Sequence, residues 1–206
     1  MNGRTPGTTR GTPATRVALV LPAVLLSLWS MACGGGGGGG DDHNGGVAPV
    51  ADFAPSCDTG AGCFASSVTL QKRGVAGGLV LVDAVLNKLG TPIGVASFVI
   101  HFDPSAVDYQ SYATGTALGG SPGTVYTVTE SAPGELVVTI LPPAGGMSTS
   151  TAKPMITLTF AVLKIAVTGV TFENTDILNG SALYDPAGTL MPLGAGAWSG
   201  GLISGS

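Results

Sequence analysis

Acid–base and nucleophilic catalysis need a histidine, lysine or carboxylate poised beside a reacting group, and this chain is poor in all of them. Its histidines are His43 and His101, and its cysteines are Cys33, Cys57 and Cys63. His101 sits in an alternating apolar stretch, which is the setting of a solvated strand residue rather than a general base. Glu130 and Glu135 flank the turn-forming Ser131-Ala132-Pro133-Gly134. A hairpin there would face two carboxylates, the device of glycosidases, but two solvated acids beside a turn have the same sequence. Glu173-Asn174-Thr175-Asp176 could offer oxygens to a structural calcium ion, yet Asn and Asp are equally the residues of a turn. The glycine run Gly34 to Gly40 precedes no strand–helix unit and so builds no phosphate cradle. The expectation is a chain with no catalytic residue, no metal site and no cofactor.

Cys57 and Cys63 are separated by Asp58, Thr59, Gly60, Ala61 and Gly62, a spacing that suits a small disulfide-closed loop in an exported protein. A metal pair would need further ligands, and neither histidine lies at ligand spacing. Export is read from the N-terminus. Arg4, Arg10 and Arg16, with no acidic residue, precede an apolar segment from Val17 to Ala32. That is the anatomy of a secretory signal. The segment is short of the roughly 20 residues a spanning helix needs, and Pro22 interrupts it. Ser30-Met31-Ala32-Cys33 resembles a bacterial lipoprotein signal, which implies cleavage before Cys33 and a diacylglycerol on its thiol. Ser30-x-Ala32 would also suit an ordinary signal peptidase cutting at the same bond. Two observations favour lipid. An unpaired cysteine at the mature N-terminus would otherwise be an exposed reactive thiol, and the glycines that follow suit a spacer from an anchor. Gly34, rather than an aspartate, follows the cysteine, and by the same resemblance this implies the outer membrane or cell surface.

Beyond Cys33 only Lys72, Arg73, Lys88, Lys153 and Lys164 are basic, against twelve acidic residues, a formal charge of −7. Nucleic-acid binding, which rests on clustered Lys and Arg, is excluded. Asp41, Asp42 and His43 fall in a stretch of Gly, Asp, Asn, Ala and Pro that reads as a solvated tether.

From about Phe64 the pattern changes to apolar runs cut by Gly, Pro and Asn. Residues 66–72, 78–87, 94–102, 106–112, 123–129, 135–141, 154–164, 167–172, 176–184 and 189–203 read as strands. Their spacing predicts an all-β sandwich of about nine strands. The chain therefore divides into a signal segment (1–32), a Gly-rich tether with a short Cys loop (33–63) and one folded domain (64–206). Within Ser97-Phe98-Val99-Ile100-His101-Phe102, alternation sends Phe98, Ile100 and Phe102 to the core and Ser97, Val99 and His101 to the other face. Within Met155 to Lys164, Ile156, Leu158, Phe160 and Val162 are expected inside and Thr157 and Thr159 outside.

Ser97-Phe98-Val99-Ile100-His101-Phe102-Asp103-Pro104 with Ala106-Val107-Asp108-Tyr109 resembles the F-x-L-x-Y-D-P-x-x-L-x-V motif of cohesin domains. Ile156 to Leu163 is similar to that family's late L-x-F-x-V strand, and Ala197-Trp198-Ser199-Gly200-Gly201-Leu202-Ile203 to its glycine-rich closing strand. The resemblance spans about residues 66–205 and implies a nine-stranded antiparallel jelly roll. It also implies a non-catalytic module that binds a calcium-loaded dockerin domain in polysaccharide-degrading assemblies. By resemblance the partner-binding face carries Ser97, Val99 and His101, although Val95 and Ser97 stand where dockerin-binding cohesins often present Asn and Asp. That face looks nearly uncharged. Because cohesins are related to carbohydrate-binding modules, a polysaccharide ligand is the second reading, with Trp198, Tyr112, Tyr126 and Tyr184 as candidate stacking residues. A structural cell-envelope protein is the third.

Overall fold

Alternating side chains can be buried on one side only if two sheets face one another, and the chain forms two. A computed structural model describes residues 49–57, 63, 65–118 and 123–206. The signal segment, Cys33 and Asp41-Asp42-His43 lie outside the described residues. Among the described residues there is no helix, and twelve strands occur. They are β1 (Ala51–Pro55), β2 (Ser67–Ala76), β3 (Leu79–Asn87), β4 (Val95–His101), β5 (Val107–Thr114) and β6 (Val125–Ala132). The second half supplies β7 (Glu135–Leu141), β8 (Lys153–Val162), β9 (Val167–Glu173), β10 (Ala182–Tyr184), β11 (Trp198–Ser199) and β12 (Gly201–Gly205). One sheet has the order β1-β12-β9-β4-β7-β6, with β10 also paired to β4, and the other has the order β11-β2-β3-β8-β5. Neighbours are antiparallel except β11, which runs parallel to β2.

The inner faces meet in one core. Phe98, Ile100, Leu136, Val138, Ile140 and Val170 from the larger sheet bury against Leu70, Val82, Leu86, Ile156, Leu158 and Phe160 from the smaller. Phe102 and Tyr109 set their rings edge-to-face on Phe160, at centroid distances of 5.3 and 6.1 Å.

Three features depart from the sequence expectations. Ala51–Pro55, expected in the tether, is an edge strand paired with Gly201–Gly205, and Ala51 and Phe53 are buried. The domain therefore begins before Ala51 rather than at 64. A five-residue segment with one large apolar side chain carries too little pattern to be read, and its partner lies at the far end of the chain. The long strands expected over 176–184 and 189–203 are broken. Within the latter, Gly194 and Gly196 take φ of +92° and +80°, outside strand geometry. At Gly200 the chain crosses from the smaller sheet to the larger. A Cβ there would lie 2.1 Å from the Val170 carbonyl oxygen, and one at Gly201 would lie 2.2 Å from the Phe53 ring. Side chains are excluded at both.

Thr157, expected outside, is 2% exposed. Its hydroxyl donates to Asp83 Oδ1 at 2.6 Å and accepts from Arg73 at 3.3 Å, so a buried polar group on the outer side of β8 is satisfied by side chains of β2 and β3. Thr157→Ala should cost about 1–3 kcal/mol, because it removes a donor from a largely shielded carboxylate. Urea denaturation measures it, and a loss under about 0.5 kcal/mol would mean the bond contributes little.

Cys57 and Cys63 are disulfide-bonded, with Cα atoms 5.6 Å apart. The bridge follows β1, where the Gln71 side chain of β2 also donates to the Cys57 carbonyl at 2.6 Å.

Candidate functional site

The outward face of the larger sheet gathers what β4 alone could not show. Ala96, Phe98 and Ile100 are fully buried, so Val95, Ser97, Val99 and His101 project the other way and remain partly exposed. Pairing with β7 sets Val137 beside Val99, Thr139 beside Ser97 and Glu135 beside His101. Pairing with β9 sets Glu173 across from Val99 and Thr171 across from His101. β6 widens the surface with Thr129 beside Val137, Thr127 beside Thr139 and Val125 beside Leu141. The result is an apolar centre of Val99 and Val137 with hydroxyl groups around it. Val125 and Leu141, 53% and 42% exposed, continue it toward one end of the strands.

The other end is charged. His101 Nε2 lies 3.0 Å from Glu135 Oε2. Glu135 also accepts a hydrogen bond from the Ser131 hydroxyl. With Glu173 this corrects the expectation of a nearly uncharged face, because both acids arrive on neighbouring strands. Glu130 and Glu135 are not opposite one another across the hairpin: Glu130 pairs with Leu136, and Glu135 with Ala132. Glu130 Oε1 accepts from the Gly134 N–H at 3.4 Å across the turn, while Glu135 is engaged with His101 and Ser131.

β4 changes neighbours at Val99, where β9 ends and β10 takes over beside Val95 to Ser97. The buried Ser181 hydroxyl fills the break. It accepts from the Val99 N–H at 3.0 Å and donates to the Val99 carbonyl at 3.3 Å. Between the two strands the chain loops out, with Asn174, Asp176 and Asn179 left-handed at φ of 47°, 57° and 65°. Ile177 and Leu178 in this loop are 50% and 70% exposed. They were missed in the sequence because the segment reads there as one strand. Asp176 braces the loop: Oδ1 accepts from Trp198 Nε1 at 2.9 Å, and Oδ2 accepts from the Gly194 N–H at 2.8 Å. Both carboxylate oxygens of Asp176, one of the four residues of the stretch considered for calcium, thus face protein donors. Among the described residues no three His, Cys, Asp or Glu side chains cluster as metal ligands.

The aromatic candidates do not line up. Trp198 and Tyr112 belong to β11 and β5, opposite edges of the smaller sheet. Trp198 is further occupied by an edge contact with Phe172 at 5.2 Å. Tyr126 packs against the core, where burial pushes its phenol above the ordinary range. Tyr184 is on β10. A sugar-stacking platform needs coplanar exposed rings, and these four are dispersed over two sheets.

The Cohesin domain family model matches residues 65–189, more than half the chain. The chain belongs to the cohesin domain family. The second type II cohesin module of the adaptor ScaA scaffoldin of Acetivibrio cellulolyticus is similar in structure, with a TM-score of 0.51 at 16% identity over 64% of this chain and 85% of that one. A type II cohesin domain from the cellulosome of the same organism gives 0.50 at 16%, over 62% and 88%. A type II cohesin–X-dockerin complex from Acetivibrio cellulolyticus gives 0.50 at 16%, over 61% and 90%. At such identity these likenesses carry the fold, and they agree with the two-sheet antiparallel sandwich. No curated protein sequence matches the chain.

Proposed function

We propose that this cohesin domain is a non-catalytic docking module. A lipid on Cys33 anchors it at the outer membrane or cell surface, and the outer face of β9, β4, β7 and β6 binds a dockerin-type domain of a partner protein. The observation that carries the reading is the Val99–Val137 centre, ringed by Ser97, Thr127, Thr129 and Thr139 and flanked by Glu135 and Glu173. An apolar middle with a polar rim is the anatomy of a protein interface. The solved cohesin–dockerin complex and the family match supply the kind of partner. The test is capture by the mature protein from envelope and secreted fractions, with and without calcium. A calcium-dependent partner carrying dockerin-type loops is expected, and capture that ignores both calcium and substitutions on this face would overturn the reading.

The anchor makes a separate prediction. Wild-type protein should sediment with membranes, and Cys33→Ser should move it to the soluble fraction. An unmodified Cys33 at the mature N-terminus would refute lipidation.

A further inference from the structure

One end of the sandwich concentrates exposed apolar side chains. The start of β1, the β2–β3 turn, the β8–β9 turn and the end of β12 are tied together there by backbone hydrogen bonds. Val50 and Ser206 bond reciprocally at 2.8 and 3.1 Å, the Gly205 N–H reaches the Ala166 carbonyl at 2.8 Å, and the Val162 N–H reaches Gly78 at 2.9 Å. A shallow groove lined by Pro49, Val50, Val75 and Gly78 runs between β1 and the β2–β3 turn. Five large aliphatic side chains point into solvent from this end: Ile165 is 75% exposed, Val167 67%, Val50 64%, Leu163 53% and Val75 44%. Buried partners are plentiful in this core, so such a cluster at one pole calls for an explanation.

The chain itself supplies one. The segment that leads back to Cys33 joins the domain at Pro49, within this same pole. Fifteen residues, 34–48, separate the two, seven of them the glycine run. A linker of that length can span at most roughly 50 Å, so a lipid on Cys33 stays tethered to the domain through this pole. Under that restraint the effective concentration of membrane beside the pole is of millimolar order, so even weak apolar insertion is populated.

We propose that this pole, led by Ile165 with Leu163, Val167, Val50 and Val75, seats in the headgroup–acyl boundary of the bilayer that holds the lipid on Cys33. The proposal rests on the lipid-anchor reading above. Turn tips bearing aliphatic residues insert into a soft interface, whereas a protein partner would have to match several separate turns. Charge is not the driver. Lys164 at this pole donates to the Ser105 hydroxyl at 2.8 Å, and Asp103 accepts from the same hydroxyl, so the two charges are linked through it. With the strands standing on the membrane, the outer face of β9, β4, β7 and β6 looks sideways and stays open to a partner.

The experiment uses the lipidated full-length protein carrying Ile165→Cys, with Cys33 acylated and Cys57 bonded to Cys63, so the new thiol alone takes an environment-sensitive fluorophore. In phosphatidylcholine vesicles containing nitroxide-labelled lipid, a blue shift and loss of fluorescence are expected at position 165. A probe at Thr127→Cys on the partner face should show neither. An unshifted, unquenched probe on protein that remains vesicle-bound overturns the proposal and leaves the anchor standing. A shifted probe that lipid nitroxides do not quench, on protein that cross-links as a dimer, also overturns it, since a second copy would then cover the pole. Quenching at both positions overturns the orientation. Protein that never binds membranes removes the anchor and this inference together, and the Cys33 fractionation separates that outcome from the rest.

Discussion

Phe160→Ala is expected to lower the unfolding free energy by about 3–5 kcal/mol, while Thr159→Ala changes it by no more than about 0.5 kcal/mol. The contrast follows from β8 alone. Phe160 is fully buried and in T-shaped contact with Phe102 and Tyr109, so its removal opens a cavity bounded by rings from β5 and the β4–β5 turn. Thr159 points outward, is partly exposed, and pairs in register with Leu81 and Ser111. Paired rings add aromatic contact to the lost apolar burial, which places the cost toward the upper part of that range. Urea or guanidinium unfolding with unchanged slope reads the difference directly. Equal losses at both positions would mean that β8 is shifted by one residue, because such a slip exchanges its two faces.

The same one-residue logic explains what could be read from the chain and what could not. β4 was legible because Ala96, Phe98 and Ile100 alternate without interruption with Ser97, Val99 and His101. β7 and the apolar side of β8 were legible for the same reason. Period alone, however, reports alternation and not what lies on the far side of a sheet. Thr157 has the sequence of a solvated residue, but Asp83 and Arg73 reach it from other strands and close it off. β1 was invisible because Phe53 is its one large apolar residue and its stability comes from β12, about 150 residues away. The partner face was half legible. Its Ser97-Val99-His101 row lies on one strand, while Val137, Glu135, Glu173 and Thr129 reach it through pairing register, which a linear sequence does not display. The loop carrying Ile177 and Leu178 depends on three non-glycine residues in left-handed geometry, a choice set by the Asp176 contacts to Trp198 and Gly194.

Val99→Asp is expected to weaken partner capture by at least about 30-fold, which corresponds to a loss of about 2 kcal/mol at a central interface residue. The site is central by register, flanked by Val137 on one side and Glu173 on the other. A carboxylate placed there would be stripped of water by a docking partner without a cation to meet it, and Glu173 and Glu135 would add like-charge repulsion. The fold should survive, because Val99 is partly exposed and its backbone remains bonded to Ser181 whatever its side chain. Unfolding stability should fall by only about 1 kcal/mol, the order of the strand preference of valine over aspartate. Val137→Asp should reproduce the defect, and the double variant should lose less than the two single losses added, since the neighbours share one contact. Tyr112→Ala, on the edge of the opposite sheet, should bind normally. Titration calorimetry with the captured partner, beside unfolding midpoints for each variant, separates these effects. Normal affinity for a folded Val99→Asp protein would move the binding site off this face while leaving the cohesin fold untouched. Loss of affinity in Tyr112→Ala with Val99→Asp unaffected would instead place the partner on the smaller sheet.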